Sequence, residues 1–541
     1  MTDSAARYRR GGWWRDQTFL DDLRRNARDQ PGKPVLTNYR GPGDQPHVLT
    51  YAELARLTSR YSSALVRLGI QRGDVVAVQL PNWWEIAPLG LACAQAGALV
   101  CLLRPAYRRH ELEQILRVSG ARLCITLAEW DGARLADTVL ELAKDLPALE
   151  HVVVASGSLA AARPTGTLDF AEFFGGEDVG DGGGDDRALG PDEPFLILFT
   201  SGTTGPMKGV VHSQNTLYSG CRAYAGPLGL DGSSVIFVAH VATYYTGFVL
   251  GMLLPVLLGG SGLVQQVWDA DLHLSLSQRH GVTNFYGAPH ALAELIAAQG
   301  GAPHDLSRLR SIVTGSAPVP PHVVEQATKV LSARVHTLWG MTENGTVTIT
   351  RQQDPPDWAA HSDGSPVDGM ELRIDPVAVP GGGDGSGRLW VRGANQCLGY
   401  FGRDDLYAAA LDPDGWFDTG DLVRDDGRGG IRVTGRIKDL VIHRATNVPV
   451  TEVEGVLARH PNVGEVAIIG VRYKGGIDEL VCAVVAPKGS GPGLAALRDH
   501  LAGAGVAELY WPERLEVVDT LPKTITGKVR KAELRERFGA Q

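Results

Sequence analysis

The chain has 541 residues, with 52 lysines and arginines against 61 aspartates and glutamates, for a formal net charge of −9. With 44% hydrophobic and 21% charged residues, it has a globular composition and ample apolar surface for large cores. The acidic balance argues against nucleic acid or an anionic membrane surface as the main partner. Glycine is the outlier: 67 residues, about 12% of the chain where roughly 7% is usual. That excess belongs in loops, turns and close backbone approaches, because glycine weakens helix and strand interiors.

Residues 1–10 carry charge with no apolar core behind them, so no secretory signal is expected. From Thr50 onward helix-like and strand-like stretches alternate. Tyr51 to Leu68 is helical in spacing, Asp74 to Leu80 strand-like, Trp84 to Gly97 helical and Ala98 to Leu103 strand-like. The same rhythm continues through 108–119 with 122–126, then 139–144 with 152–155. Such alternation predicts parallel sheets covered by helices. Gly175 to Gly190, with seven glycines and five acidic residues, reads as a solvated loop. The strand Phe195 to Phe199 follows. The longest apolar run, Val249 to Leu258, is broken by Pro255 and falls short of the ~20 residues that span a bilayer. No membrane span is expected, and a cytoplasmic protein is. The six cysteines, Cys93, Cys101, Cys124, Cys221, Cys397 and Cys482, show no C-x-x-C pair and read as buried free thiols. A boundary is expected at Gly435: residues 435–541 hold 15 basic and 13 acidic side chains, net +2, leaving −11 for the rest.

The most informative stretch directly follows the strand: Thr200, Ser201, Gly202, Thr203, Thr204, Gly205, Pro206, Met207, Lys208. Hydroxyls, glycines and one lysine suit a backbone cradle for phosphates. No Gly-Lys-Ser/Thr of a Walker loop is present, and on spacing alone a polar surface loop remains the other reading. Gly381 to Gly387 precedes a strand-like stretch, Arg388 to Arg392, and so reads as a turn instead of a dinucleotide loop.

Further motifs extend the pattern. They are Leu49 to Leu54, Gly73 to Ala77, Leu80-Pro81-Asn82, Arg108 to Leu112, Gly315-Ser316-Ala317-Pro318, Trp339-Gly340-Met341-Thr342-Glu343, Trp416 to Asp421, Gly435 to Asp439 and Pro522 to Lys528. In this order the set resembles, nearly end to end, the adenylate-forming superfamily of acyl-CoA synthetases, peptide-synthetase adenylation domains and luciferases. Tyr8 to Trp14 is most similar to its cyclohexanecarboxylate-CoA ligase and dihydroxybenzoate-AMP ligase branch. The resemblance implies an α/β fold: a large N-terminal domain of stacked mixed sheets with helices, 1–434, and a small mobile α+β lid, 435–541, hinged near Lys438.

The resemblance also implies roles. A substrate oxyanion attacks the α-phosphorus of ATP and expels pyrophosphate, while the protein aligns the groups and neutralises charge. Lys528, Thr342 and Glu343 are the expected catalytic set, with Glu343 holding Mg²⁺. Thr200 to Gly205 and Lys208 would contact phosphates. Gly315, Ser316, Ala317, Trp339, Gly340 and Met341 would frame the adenine, and Asp421 with Arg436 the ribose. Thr243, Tyr244, Tyr245 and Gly247, with Gly315 and Gly340, would line a substrate pocket suited to an aromatic ring. Counted back from Thr246-Gly247-Phe248, Tyr244 falls where this branch has a histidine; that the tyrosines only pack the core is the other reading. Arg444-Ala445 replaces the Gly-Gly pair that lines the CoA tunnel, which argues against CoA as the second-step acceptor. The alternative is a diazotase that adenylates nitrite and transfers the nitroso group to an arylamine. Partners would be small molecules, and both monomer and homodimer stay open.

Overall fold

The computed structural model describes residues 2–41, 43–155, 163–176, 185–200, 207–317, 319–376, 386–439, 441–443, 446–472, 479–523 and 528–539. The glycine-rich stretch 201–206, Arg444-Ala445, 524–527, and most of the two expected loops at 175–190 and 381–387 lie outside these residues.

Two large mixed sheets organise the N-terminal part. The nine-stranded sheet runs Ser365–Pro366, Gly345–Ile349, Arg334–Met341, Ser311–Gly315, Asn284–Gly287, Val235–Val238, Ser261–Gln265, Pro34–Tyr39, His47–Thr50. The eight-stranded sheet runs Gly399–Tyr400, Lys208–Ser213, Pro194–Thr200, Leu99–Leu102, Val75–Val78, Leu123–Leu127, His151–Ala155, Leu168–Asp169. The central strands of both are parallel, and the edges are antiparallel except for Leu168–Asp169, which pairs in parallel with His151–Ala155. These strands are apolar on both faces, as expected where helices cover a sheet on each side.

Strand alternation assigns the layers. Val76, Val78, Val100 and Leu102 of one sheet share a core with Ile236, Val238, Val313 and Leu338 of the other. The same core holds Leu54, Leu57 and Leu65 of helix Tyr51–Arg67, Leu89 and Leu91 of helix Ile86–Ala96, and Leu217 and Tyr224 of helix Gln214–Leu228. These helices are therefore the filling between the sheets. The intervening residues face outward: Val75, Ala77, Leu99 and Cys101 pack on helices Arg109–Ser119 and Leu135–Ala143. Phe237, Phe285, Ile312 and Val335 pack on helices Ala270–His280, Pro289–Gly301 and Pro321–Leu331. All six cysteines are buried and unpaired, and burial raises their thiol pKa values.

The apolar run at 249–258 is the end of a π-helical segment, Thr246–Leu253, continuing into helix Leu254–Leu258. It is apolar all round because it is buried all round. No described helix is long and apolar enough to cross a membrane.

An antiparallel four-stranded sheet follows: Met370–Pro376, Gly387–Gly393, Phe417–Asp425, Ile431–Arg436. Asp421 pairs with Arg436 in its last hairpin. The break expected after residue 434 therefore falls inside a strand, since hydrogen-bonded pairing carries the sheet to Arg436; the change of fold comes at the short turn Ile437–Asp439. The C-terminal part is a three-stranded sheet, Val463–Arg472, Glu479–Pro487, Arg514–Val517. Ile468, Val481 and Ala483 meet helices Val450–Leu457 and Leu494–Gly503 on one face. Ala467, Ile469 and Cys482 meet Leu534 of helix Lys531–Phe538 on the other.

Candidate active site

The parallel strands Val235–Val238, Asn284–Gly287, Ser311–Gly315 and Arg334–Met341 end on one edge of the nine-stranded sheet. Carboxyl edges of such strands are where α/β sheets place ligands, and the expected residues collect there. Trp339, near the end of its strand, is buried and donates its indole N–H to Asp421 Oδ2 at 3.0 Å. The other Asp421 oxygen is ion-paired with Arg436 Nε at 2.7 Å. A buried carboxylate is thus held from both sides, by two donors on different strands.

Glu343 lies four residues beyond Trp339 and is buried. Its Oε1 accepts the Tyr400 hydroxyl at 2.9 Å. Loss of hydration raises the Glu343 pKa, while its own backbone N–H, Tyr400, Lys208 and Arg436 oppose the rise. The Lys208 ammonium sits 4.8 Å from the Tyr400 ring centroid. Thr342 is fixed through its carbonyl, which accepts from His212 Nε2 at 2.7 Å; His212 Nδ1 faces Thr216 Oγ1 at 2.9 Å. Burial lowers the His212 pKa to about 4, so the ring is neutral at pH 7. The strand Lys208–Ser213 therefore delivers Lys208 at its start and the Thr342 clamp near its end.

Lys528 comes to the same place from the C-terminal part. It is exposed as a residue, yet surrounded closely enough that loss of hydration, then the Arg436 charge, lowers its pKa to about 8. Asp421 and Glu343 pull the other way. Lys528, Arg436 and Lys208 thus converge on two carboxylates, an excess of cations suited to phosphate oxygens.

The turn after strand Ser311–Gly315 places Ser316 at φ +68° with its Oγ 2.8 Å from the Tyr286 hydroxyl. Gly315 and Gly340 are required by packing: a Cβ on Gly315 would meet the Leu338 carbonyl oxygen at 2.3 Å, and one on Gly340 the Gly345 carbonyl oxygen at 2.1 Å.

This chain belongs to the AMP-binding enzyme family. The family model, AMP-binding enzyme, matches residues 23–401, and the model of the AMP-binding enzyme C-terminal domain matches residues 452–528. The chain is 30% identical over 539 residues to the medium-chain fatty-acid–CoA ligase of Escherichia coli, covering 98% of this chain and 92% of the relative. It is 30% identical over 545 residues to the salicyl-AMP ligase / salicyl-S-ArCP synthetase of Mycobacterium tuberculosis, covering 99% and 94%. The crystal structure of ATP-bound MatB from Rhodopseudomonas palustris matches with a TM-score of 0.83 at 26% identity, covering 97% of this chain and 99% of that one. The protein is an adenylate-forming, ATP-using acid ligase of the AMP-forming kind.

The residues expected to line the substrate pocket have distinct surroundings. A Cβ on Gly247 would lie 2.0 Å from the Val241 carbonyl oxygen, so the residue is glycine where the loop doubles back on the π-helical turn. Tyr245 is buried in the central core, its hydroxyl over Gly220 and Gly345. Thr243 and Tyr244 remain beside the edge where the strands end.

His240, four residues before Tyr244, is a histidine whose environment includes Lys528. Residues 239–244 form no regular element, so counting through them carries no geometric register. His240 Nδ1 lies 2.7 Å from Thr246 Oγ1, its ring meets Tyr286 edge-on at 5.1 Å, and burial lowers its pKa to about 4. Its signal in the sequence is a lone histidine two residues past an apolar strand. The loop is pinned by Asn82, which donates to the His240 carbonyl at 3.2 Å and accepts from Ala242 N at 2.6 Å.

Proposed function

We propose that the enzyme uses ATP and Mg²⁺ to adenylate a small aromatic acid, releasing pyrophosphate. The observation that carries this reading is the convergence of Lys528, Glu343, Asp421 and Arg436 on one strand edge, beside the loop bearing Thr243 and Tyr244. The salicyl-AMP ligase relative supports an aryl acid.

In this reading Asp421, oriented by Trp339 and Arg436, accepts hydrogen bonds from the ribose hydroxyls. Lys208, Thr342 and the hydroxyls of Thr200, Ser201, Thr203 and Thr204 hold the phosphates, with Gly202 and Gly205 allowing close approach. Ser316, Ala317, Gly340 and Met341 border the base. Glu343 fits Mg²⁺ because it is a buried carboxylate whose burial a hard cation would offset. Bound there, the ion would neutralise phosphate charge. A substrate carboxylate oxygen forms a bond to the α-phosphorus, the bond to the β-phosphate oxygen breaks, and its electron pair leaves with pyrophosphate. Lys528 stabilises the charge that builds on the α-phosphate.

The lid would comprise residues 437–541 and turn about Lys438. The Lys438 carbonyl accepts from Arg535 Nη1 at 3.2 Å, and Arg535 also pairs with Asp439, so the hinge turn moves with the last helix. AMP and pyrophosphate release across a panel of aryl and alkyl acids tests the reading; ADP and phosphate as products would overturn it. Arg444-Ala445 in place of Gly-Gly favours a second reading, in which nitrite is adenylated and an arylamine, instead of CoA, is the acceptor. Nitrite-dependent AMP release that rises with an aminoaryl acid and is indifferent to CoA would establish it.

A further inference from the structure

Arg104 lies just past the end of strand Leu99–Leu102, in the other large sheet. Its guanidinium carbon stands 4.0 Å from the Tyr244 ring centroid and 5.4 Å from that of Tyr107. Among the described residues it has no ion-pair or hydrogen-bond partner. The acid whose charge reaches Tyr107, Glu111, is committed elsewhere, accepting from the Arg108 backbone N–H at 3.1 Å to cap helix Arg109–Ser119. A half-buried guanidinium held by aromatic faces and given no carboxylate retains free N–H edges that match one.

The position is built, not incidental. Buried Gln79 donates to the Arg104 carbonyl at 3.1 Å and the Tyr107 carbonyl at 3.4 Å, and its own Oε1 accepts from Thr126 at 2.8 Å. Tyr107 N–H closes the turn onto the Arg104 carbonyl at 3.0 Å. On the facing loop, the buried Thr243 Oγ1 and Tyr244 hydroxyl have no hydrogen-bond partner among the described residues. Buried hydroxyls left unpaired are uncommon; here one belongs to the tyrosine on which Arg104 stacks and the other to the residue before it.

The chain of contacts runs from Arg104 to Tyr244, then to His240, whose ring centroid is 6.5 Å from that of Tyr244, then to Lys528, whose charge falls on His240. The two cations thus border the same aromatic pair, Arg104 through Tyr244 and Lys528 through His240. In the reading above Lys528 serves the atom that joins the α-phosphate, and Arg104 borders the other ring.

We propose that Arg104 is a specificity-determining residue that binds a carboxylate on the aromatic substrate, remote from the group that reacts. The inference rests on the aryl-substrate reading above and adds a second anion to the substrate class: an aromatic dicarboxylate if the ring's own acid is adenylated, or an aminoaryl carboxylate if the ring is the acceptor.

The test uses the full chain, as wild type, Arg104→Gln and Arg104→Lys, with ring-matched pairs. Isophthalate is compared with its monomethyl ester in ATP–pyrophosphate exchange. In the nitrite arm, 3-aminobenzoate is compared with 3-aminobenzamide for AMP release. The wild type should prefer the member with the second anion by about tenfold to a hundredfold in kcat/KM, mainly through KM, the range expected for one charged hydrogen-bonded contact. Arg104→Gln should erase that preference in the responding arm without reducing turnover of the member that lacks the second anion, and Arg104→Lys should keep part of it. Equal treatment of the two members by the wild type, or equal loss on both in Arg104→Gln, overturns the proposal while leaving adenylation intact. No response to any of these substrates in either arm overturns the aryl reading and this inference with it.

Discussion

The proposed nucleotide side and the proposed substrate side of the site are built differently. On the nucleotide side the side chains are cross-linked: Trp339 and Arg436 hold Asp421, Tyr400 holds Glu343, and His212 holds the Thr342 carbonyl. On the substrate side Arg104 stacks on Tyr244, His240 meets Tyr286 edge-on while bonding Thr246, and the Thr243 and Tyr244 hydroxyls have no hydrogen-bond partner among the described residues. A preorganised polar frame suits a ligand whose charges never change, whereas a stacked, partly unsatisfied wall leaves recognition to the substrate. The difference teaches where specificity can vary without disturbing the chemistry.

The comparison can be broken most sharply at Lys528. Lys528→Ala should cut adenylation by about 10²–10³-fold while leaving ATP affinity nearly unchanged, read by pyrophosphate exchange and calorimetry; wild-type turnover would remove Lys528 from the reacting set. Gly247→Ala sharpens the substrate side: with backbone at the Cβ position, it should cost about 1–3 kcal/mol of stability and lower the melting temperature, without changing the preference among acids. A changed preference with unchanged melting would assign Gly247 to the pocket wall instead of the loop's packing.

The Lys528 pKa of about 8 sets an alkaline limit. Its ammonium is charged below that pH and neutral above, so kcat/KM should fall as pH rises through 8, by about tenfold per unit. In Lys528→Arg, whose side chain stays protonated, the residual activity should lose that limb; its persistence would assign the titration to another group. The smallest effect is expected away from both halves of the site. Arg424 in the four-stranded sheet pairs with Glu452 of the C-terminal part at 2.9 Å, both partners being more than a third exposed. Glu452→Ala should cost under ~1 kcal/mol, barely moving the melting temperature.

The residues of the proposed nucleotide side could be picked out in the sequence because they sit at fixed offsets from strands. Trp339, Thr342 and Glu343 follow one strand end, Asp421 and Arg436 face each other across one hairpin, and their spacing survives without knowledge of the fold. The strand and helix rhythm of 51–155 was legible for the same reason, since buried strands and amphipathic helices have fixed periods. The substrate side was not. His240, Tyr244 and Tyr245 lie on or beside an irregular loop, where spacing fixes no direction, and Arg104 belongs to a different sheet 140 residues earlier in the chain. Composition could not reveal that Gly247 is glycine for a backbone contact, nor that the strand at Arg436 continues past the apparent break in charge.

The sequence by itself determined the family and the AMP-forming chemistry, and it named the residues of the polar frame proposed to serve ATP, because those motifs are local and their chemistry is carried by residue type. Only the tertiary structure decided that Tyr245 packs in the core, that His240 stands near Lys528, and that Arg104 stacks on Tyr244. Those contacts are made between segments the chain brings together from two sheets, and no local pattern encodes them.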